Sequence, residues 1–362
     1  VTHNQLLNFP PDPILDLDPW VGQRQASFRF DRINGLTGDI LGELHPIRDA
    51  DLTHDTTRII KRQLTMSLGI EDTATINVVT DRILLYMTFP DGTEYPLGRY
   101  MFTDASRQVF SAAGMGEHTA GGIADVTLND EMFLVDQQIT TGVDAAGLAV
   151  EGVIVKVLED LDVSLVAETS PYNSFETWGI GQSRGAILEA LSVTGDYFSP
   201  WFGNDGKLHF IRSFDPATAI PDFNYDTSRQ VIRDAILETD DLITAPNRFV
   251  VISNAGPNLD EQVVGTADVP ESAPHSIANR GFVVASVLDL QLTNTSQATA
   301  VAQGLALRQT VFERVGLTTA LDPRHDSYNV IRWQGENWLE LAWSMPLTAG
   351  GAMSHLLRKA YG

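Results

Sequence analysis

The sequence predicts a β-rich α+β protein in which two antiparallel β domains, barrels or sandwiches, flank an α/β insertion. Three observations carry this. Short runs of period two, broken by turn residues, fill residues 23–128 and return after residue 213. Residues 129–212 switch to helical spacing. A chain of 362 residues is too long for one compact core, so two to three domains are expected.

Residues 1–22 read as an N-terminal arm. Pro10, Pro11, Pro13 and Pro19 forbid regular helix, while Leu6, Leu7, Phe9, Ile14, Leu15, Leu17 and Trp20 are too apolar for a free tail. The arm either straps its own domain or docks on a neighbouring subunit.

Residues 23–128 are the first β domain. Ala26-Ser27-Phe28-Arg29-Phe30 alternates, as do Leu64, Met66 and Leu68 against Gln63, Thr65 and Ser67. The β-branched and aromatic runs 76–80 and 82–89 come next. Pro90-Asp91-Gly92-Thr93 makes a tight turn into a strand at 95–102.

Residues 129–212 are the insertion. Val150, Val153, Ile154, Val157, Leu158 and Leu161 form one apolar helix face. A second helix starts near Ser183 and ends at Gly195, and Asn204-Asp205-Gly206 turns a hairpin over 197–211.

Residues 213–350 are the second β domain. A strand is expected at 247–252, a long loop at 253–280, a helix at 296–314 with Ser296 as N-cap, and strands at 316–321, 328–333 and 338–345. Residues 351–362 read as a C-terminal tail.

Composition removes several functions. With no cysteine, the chain has no disulfide scaffold, thiolate zinc site or cysteine nucleophile. Its formal charge of −23, with only four lysines, is wrong for wrapping nucleic acid. No signal peptide is legible. No apolar run approaches the ~20 residues of a membrane helix, so no membrane insertion is expected.

The chemical motifs are weak. Gly181-Gln182-Ser183-Arg184-Gly185 fits G-x-S-x-G, yet residues 174–180 are not the buried apolar strand that a nucleophile elbow requires. Ser183 is better explained as a helix N-cap. The eight histidines lack metal-ligand spacing, and His54-Asp55 and His325-Asp326 are the only His–Asp neighbours. Carboxylates cluster at Asp12-Asp16-Asp18, Asp49-Asp51-Asp55, Glu159-Asp160-Asp162 and Glu238-Asp240-Asp241 without a calcium-loop register. There is no phosphate-binding glycine loop. No catalytic, cofactor-binding or metal-binding residue is expected. Phe28, Phe30, Trp333, Trp338 and Trp343 are assigned to core or subunit interface rather than to ligand platforms.

Several segments, in their order, resemble the tail-tip or baseplate hub protein of tailed bacteriophages, the siphophage minor tail protein related to contractile-tail and type VI spike hubs. They are the run from His54-Asp55-Thr56-Thr57-Arg58 through Ile59-Ile60-Lys61-Arg62, Tyr95-Pro96-Leu97-Gly98-Arg99-Tyr100, and Leu128-Asn129-Asp130. Trp178-Gly179-Ile180-Gly181-Gln182-Ser183, Asp205-Gly206-Lys207-Leu208 and Asn247-Arg248-Phe249-Val250-Val251 come after them. Trp343-Ser344-Met345-Pro346-Leu347 with Gly350, Gly351 and Met353 closes the series, which spans about residues 45–355.

The resemblance implies two tail-tube-like β-barrels and a homotrimer whose six barrels join a six-fold tail tube to three-fold tip structures. It implies as partners the distal tail protein ring, the tape-measure C-terminus and downstream tip or fibre proteins. It implies a place at the phage tail tip of the virion, after assembly in the host cytoplasm. DNA would pass through the lumen without specific binding, which suits an acidic chain. The chain stops about ten residues past the final motif, so a short hub is expected, with host binding and wall digestion left to other proteins. The alternatives are a tail-associated cell-wall hydrolase, or a serine hydrolase built on Ser183, and a β module that binds host glycans.

Overall fold

The computed structural model describes residues 26–359 except 49, 70, 71, 73, 74, 111–120, 227–230, 240–242, 254–261, 293 and 310–312. The expected arm, 1–22, lies outside the described residues.

The first region holds β1 (Ser27–Asn34), β2 (Ile40–Leu44), β3 (Asp51–Asp55), β4 (Arg62–Gly69), β5 (Asp81–Thr88), β6 (Glu94–Phe110) and β7 (Gly121–Asp130). Period-two burial drives them: in β4, Arg62, Leu64, Met66 and Leu68 point inward while Gln63, Thr65 and Ser67 stay half-buried. Gly92, at φ 85°, supplies the positive angle that the β5–β6 turn needs. Residues 76–80, expected as a strand, form turns instead, held by Asn77 N donating to Asp81 Oδ2 at 3.0 Å.

The insertion holds α1 (Met132–Val135), β8 (Val143–Asp144), α2 (Val150–Leu158), β9 (Leu165–Ala167), β10 (Thr177–Trp178), α3 (Arg184–Gly195), β11 (Trp201–Phe202) and β12 (Leu208–Phe210). The apolar face of α2 packs with Ile187, Leu188 and Leu191 of α3 in one core. The β11–β12 hairpin turns at Asn204-Asp205-Gly206.

The rest holds β13 (Phe223–Asn224), β14 (Val231–Thr239), β15 (Arg248–Ser253), β16 (Val263–Asp268), α4 (Ile277–Arg280), β17 (Ala285–Asp289), α5 (Thr295–Gln309), β18 (Glu313–Ala320), β19 (Val330–Trp333), β20 (Glu336–Pro346) and β21 (Ala352–Lys359). Three expectations change here. The loop expected at 253–280 contains β16 and α4. The helix expected at 296–314 is capped by Asn294, whose Oδ1 accepts from Gln297 N at 2.7 Å, rather than by Ser296. The expected tail, 351–362, contains a strand that pairs on both sides, with β18 and β20.

The sheets are large and mostly antiparallel, and none closes into a barrel among the described residues. Both β regions share one 13-stranded sheet, ordered β14-β18-β21-β20-β3-β4-β7-β6-β5-β1-β2, with β19 and β13 branching from β20. The joint is β20. Its first half pairs with β19 and its second half with β3, and a register irregularity between Glu340 and Ala342 separates the two. A bulge bends a strand and re-aims the residues beyond it, so one strand serves two wings.

The expected second domain also divides. β15, β16 and β17 make their own sheet, covered by Ala298, Val301, Ala302 and Leu305 of α5. Helix and sheet meet closely because Gly265 has no side chain: a Cβ there would lie 2.1 Å from the Ala298 carbonyl carbon and 2.2 Å from Thr299 N. Backbone cannot yield to a side chain at that distance. Gly265→Val is therefore expected to destabilise the protein by about 3 kcal/mol or more. Chemical denaturation checks this, with hydrogen exchange locating the loss in β15–β17 and α5.

Candidate functional site

The densest polar chemistry lies inside the molecule, where three parts of the chain meet. The connection between β18 and β19, Leu321-Asp322-Pro323-Arg324-His325-Asp326-Ser327-Tyr328-Asn329, is held by its own side chains. Asp322 Oδ1 accepts from Arg324 N at 3.0 Å, and Asn329 Oδ1 accepts from Asp326 N at 2.7 Å. This puts Asp326, only 2% exposed, against Arg62 at the start of β4, only 1% exposed.

Arg62, Asp326 and Asn204 form the centre. The Arg62 guanidinium donates to Asp326 Oδ1 and, at 2.5 Å, to Asn204 Oδ1. Asn204, in the insertion hairpin, donates to the carbonyls of Pro323 and His325 at 3.2 and 2.9 Å, and its backbone N–H donates to Asp326 Oδ2 at 3.2 Å. Trp201 Nε1 adds a 3.0 Å bond to Asp326 Oδ1, and Trp343 Nε1 donates to the Asp326 carbonyl at 2.9 Å. Burial would lower the Arg62 pKa, but Asp326, together with Tyr100 and Asp130, more than offsets it and the net shift is upward. The guanidinium stays charged because its counter-charge is buried with it.

Neighbouring contacts reinforce the joint. Lys61, with its side chain fully buried, donates to the Arg58 carbonyl and to Ser199 Oγ, 2.8 and 2.5 Å away. Its pKa is lowered by burial, with Glu189 opposing the shift. His54 stacks on Trp343 at 5.3 Å and meets Ser327 Oγ at 2.9 Å. Burial first, then the charges of Arg62 and Lys61, hold His54 well below the usual histidine range. Asp130 accepts from Arg62 N and Met132 N, both at 2.9 Å, yet burial raises its pKa to about 6.

Beside this joint lie His325, Glu340 and His355, which could offer a metal three ligand atoms within 4.8 Å of one another. Their hydrogen bonds account for those atoms differently. His325 Nδ1 and His355 Nδ1 approach opposite oxygens of Glu340 at 2.8 and 2.6 Å. His325 Nε2 meets Tyr225 OH at 2.8 Å, and His355 Nε2 meets Thr319 Oγ1 at 2.7 Å. We assign N–H at both Nδ1 positions and Tyr225 hydroxyl donation to His325 Nε2, while the Thr319 hydroxyl lies between His355 Nε2 and the Ala320 carbonyl, 2.9 Å away. Two imidazoles then satisfy one carboxylate, and all four ring nitrogens are partnered within the protein. The trio fits a closed hydrogen-bond network better than a metal centre with lone pairs to spare. Burial would raise the Glu340 pKa, but the two histidines more than offset it, and the shift is downward. Burial lowers that of His355.

The other residues singled out from sequence take structural places. Ser183 is the N-cap of α3: its Oγ accepts from Ala186 N at 3.1 Å and donates to Asp136 Oδ1. Its hydroxyl is thus bound on both sides. The two His–Asp dipeptides do come together, but crosswise, with His54 on Ser327 and Asp326 on Arg62. Asp55 turns the chain by accepting from Thr57 N at 2.9 Å, and Asp160 pairs with Arg184. Asp12, Asp16, Asp18 and Asp49 lie outside the described residues. Phe30, Trp333, Trp338 and Trp343 are buried, and Phe28 packs partly buried on the first core. The roles of Arg62, Asn204, Glu340 and His355 escaped sequence reasoning. The available signal was a polar residue standing on an apolar register.

The surface offers a second feature. The main sheet ends in β2 on one side and β14 on the other, so each has an unpaired edge among the described strands. The β1–β2 hairpin exposes Leu36 (81%), Ile40 (72%) and Leu41, beside exposed Val78 and Val79. Among the described residues no helix is long and apolar enough to cross a membrane.

No protein-family model matches the sequence, and no curated protein matches it. Solved structures do. A tail protein from Neisseria meningitidis superposes with a TM-score of 0.60 at 14% identity, covering 92% of this chain and 97% of the other. The 43 kDa tail protein of prophage MuSo2 from Shewanella oneidensis gives 0.59 at 10% identity, covering 92% and 98%. A prophage tail protein from Listeria monocytogenes gives 0.56 at 8% identity, covering 92% and 95%. The chain has the fold of these phage tail proteins over nearly its whole length.

The buried joint sets two expected outcomes. Arg62→Met or Asp326→Ala alone should cost about 3–5 kcal/mol, because each strands a buried charge. The double variant Arg62→Met/Asp326→Leu should cost clearly less than the sum, as a denaturation cycle will show. The histidines set a pH dependence. His54 and His355 have lowered folded pKa values, so below about 6.5 the unfolded chain binds more protons than the folded one. Their contribution is present above that pH and is lost as pH falls, at ~1.4 kcal/mol per pH unit for each histidine. Asp130 acts oppositely, favouring the fold below its unfolded value of 3.8 and losing that contribution as pH rises through about 6. Unfolding free energy measured from pH 7 to 5 should therefore fall less steeply in His54→Gln than in the unmodified chain.

Proposed function

We propose that this chain is a structural protein of a bacteriophage tail tip: a trimeric hub that seats on the distal tail ring and bounds the channel through which DNA leaves. The carrying observation is the 13-stranded sheet whose edge strands β2 and β14 are unpaired on one side among the described residues, on a fold shared over 92% of the chain with phage tail proteins. Open edges invite pairing with another chain unless they are covered, and the apolar β1–β2 hairpin lies at one of them. On this reading the wings β3-β4-β7-β6-β5-β1-β2 and β14-β18-β21-β20-β19-β13 stand for the two tube-like barrels. Three copies joined in a closed ring leave no edge free. The net charge of −23 suits a wall past which phosphates slide without adhering.

The same reading places the chain in the virion, against the tape-measure protein inside and tip or fibre proteins below. The rival readings have specific observations against them. A hydrolase built on Ser183 would need a free hydroxyl, and that hydroxyl is held by Ala186 and Asp136. A glycan-binding face usually presents several aromatic rings, whereas every tryptophan among the described residues is buried and Phe282 is the one large aromatic exposed among them.

Light scattering and electron microscopy test the proposal. The expected result is a particle of three 39.6 kDa chains with three-fold symmetry around a channel. Ile40→Lys with Leu41→Lys should reduce it to monomers while leaving the circular dichroism spectrum unchanged. A chain that stays monomeric at micromolar concentration, alone and with a distal tail protein, would sink it.

A further inference from the structure

The small sheet β16-β15-β17 has one face packed and one face bare among the described residues. Phe249 and Val251 of β15 point into the core under α5. On the other face, Val250 stands between Thr266 and Val287, Ile252 between Val264 and Asp289, and Arg248 between Asp268 and Ala285. The middle of that face is β-branched, with Val287 61% and Val264 40% exposed. Its one cation, Arg248, is paired with Asp268 through two hydrogen bonds of 2.6 and 2.8 Å. On a chain of net charge −23 this is a nearly neutral surface that a second copy can approach.

Both edges of the sheet are open among the described residues. Asn247 N donates to the Val284 carbonyl at 2.8 Å and Leu290 N to the Ile252 carbonyl at 3.0 Å, so the even-numbered residues of β17 turn their peptide groups to β15. Ala285, Val287 and Asp289 therefore turn theirs outward. Val269 N donates to the Asn247 carbonyl at 3.0 Å, and the same alternation turns Val264, Thr266 and Asp268 of β16 outward. Neither strand has the lysine, proline or bulge that keeps an edge from pairing.

We propose that β16 of one copy pairs with β17 of the next, so that three copies close these sheets into one barrel around their three-fold axis. The inference rests on the trimer proposed above. Strand direction fits: β16 runs antiparallel and β17 parallel to β15, so the new pair is antiparallel. Strand number fits as well. Three copies of a three-stranded sheet give nine strands, close to the ~8 whose interior is filled by side chains alone. The bare β-branched face becomes that interior, and α5 stays outside. One repeated edge contact closes a ring when its rotation closes. A barrel also needs its strands staggered, and side-chain chemistry selects the sense of the stagger. A slip by one pleat sets Val264 against Val287 and Thr266 against Ala285. The opposite slip sets Asp289 against Thr266 and Asp268 against Val287, which carries carboxylates into the apolar interior. The first register is the one expected.

The absence of cysteine makes the test clean, because introduced thiols are the only ones present. Two full-length variants, Val264→Cys and Val287→Cys, are co-expressed, so that no chain can bridge itself. Light scattering gives the mass of the assembly, which is then treated with a short bis-maleimide. The expected result is a trimer that yields a band of twice the monomer mass on a denaturing gel, in which mass spectrometry joins the peptides around positions 264 and 287. Its yield should be severalfold above that of Val264→Cys co-expressed with Ile180→Cys, on the exposed surface of the insertion. Adding Ala285→Pro to the Val287→Cys chain removes an outward N–H, leaves the β15 ladder intact and should abolish the bridge. A bridge that persists with the proline, or a trimer that bridges no more than the control, would overturn the barrel and leave the trimer standing. A chain that stays monomeric would overturn both.

Discussion

The architecture depends on one buried charge and its neutralisation. Arg62 begins a strand of the first wing, Asn204 turns the insertion hairpin, and Asp326 sits in a connection of the second β region. Each is out of water, and none is satisfied without the others. A buried charge of this kind adds little net stability compared with apolar packing, but losing its partner is expensive. Its consequence here is positional: an assembly of three parts that slid by a few ångströms would leave a guanidinium, a carboxylate and an amide unpaired together.

The joint explains how one sheet serves two β regions. Trp343 lies opposite His54 in the β20–β3 ladder, and its indole N–H donates to the Asp326 carbonyl. Ladder and polar cluster thus hold the same two strands. The bulge at Glu340 turns that carboxylate into the second cluster, between His325 and His355. Continuity of the sheet and convergence of the polar groups come from the same bend in β20.

Much of this was legible in the sequence where local periodicity and local chemistry agreed. The face of α2, the Ser183 cap and the Asn204-Asp205-Gly206 turn needed no distant partner to be read. The strand at 352–359 was missed because His355 stands on the inward register between Met353 and Leu357, so its alternation does not look apolar. Arg62 disguised the start of β4 in the same way. The 263–268 strand was hidden by small and polar residues, Gly265 among them, whose role is to admit a helix rather than to bury side chains. The joint itself was illegible, since Arg62 and Asp326 are 264 positions apart and neither carries a motif. Fusion of the two β regions into one sheet is likewise a long-range pairing that no window of sequence encodes.

The placement of β21 has a consequence for biosynthesis. It pairs with β18 and β20 on its two sides, and it supplies His355 to the Glu340 network. Until residues 352–359 have emerged from the ribosome, the sheet has a slot between β18 and β20, and these two strands present unsatisfied ladders. The first wing and the insertion can form as they emerge, but the long-range closure waits for this strand. Nascent copies that share a polysome are therefore at their most adhesive in the interval before residues 352–359 emerge.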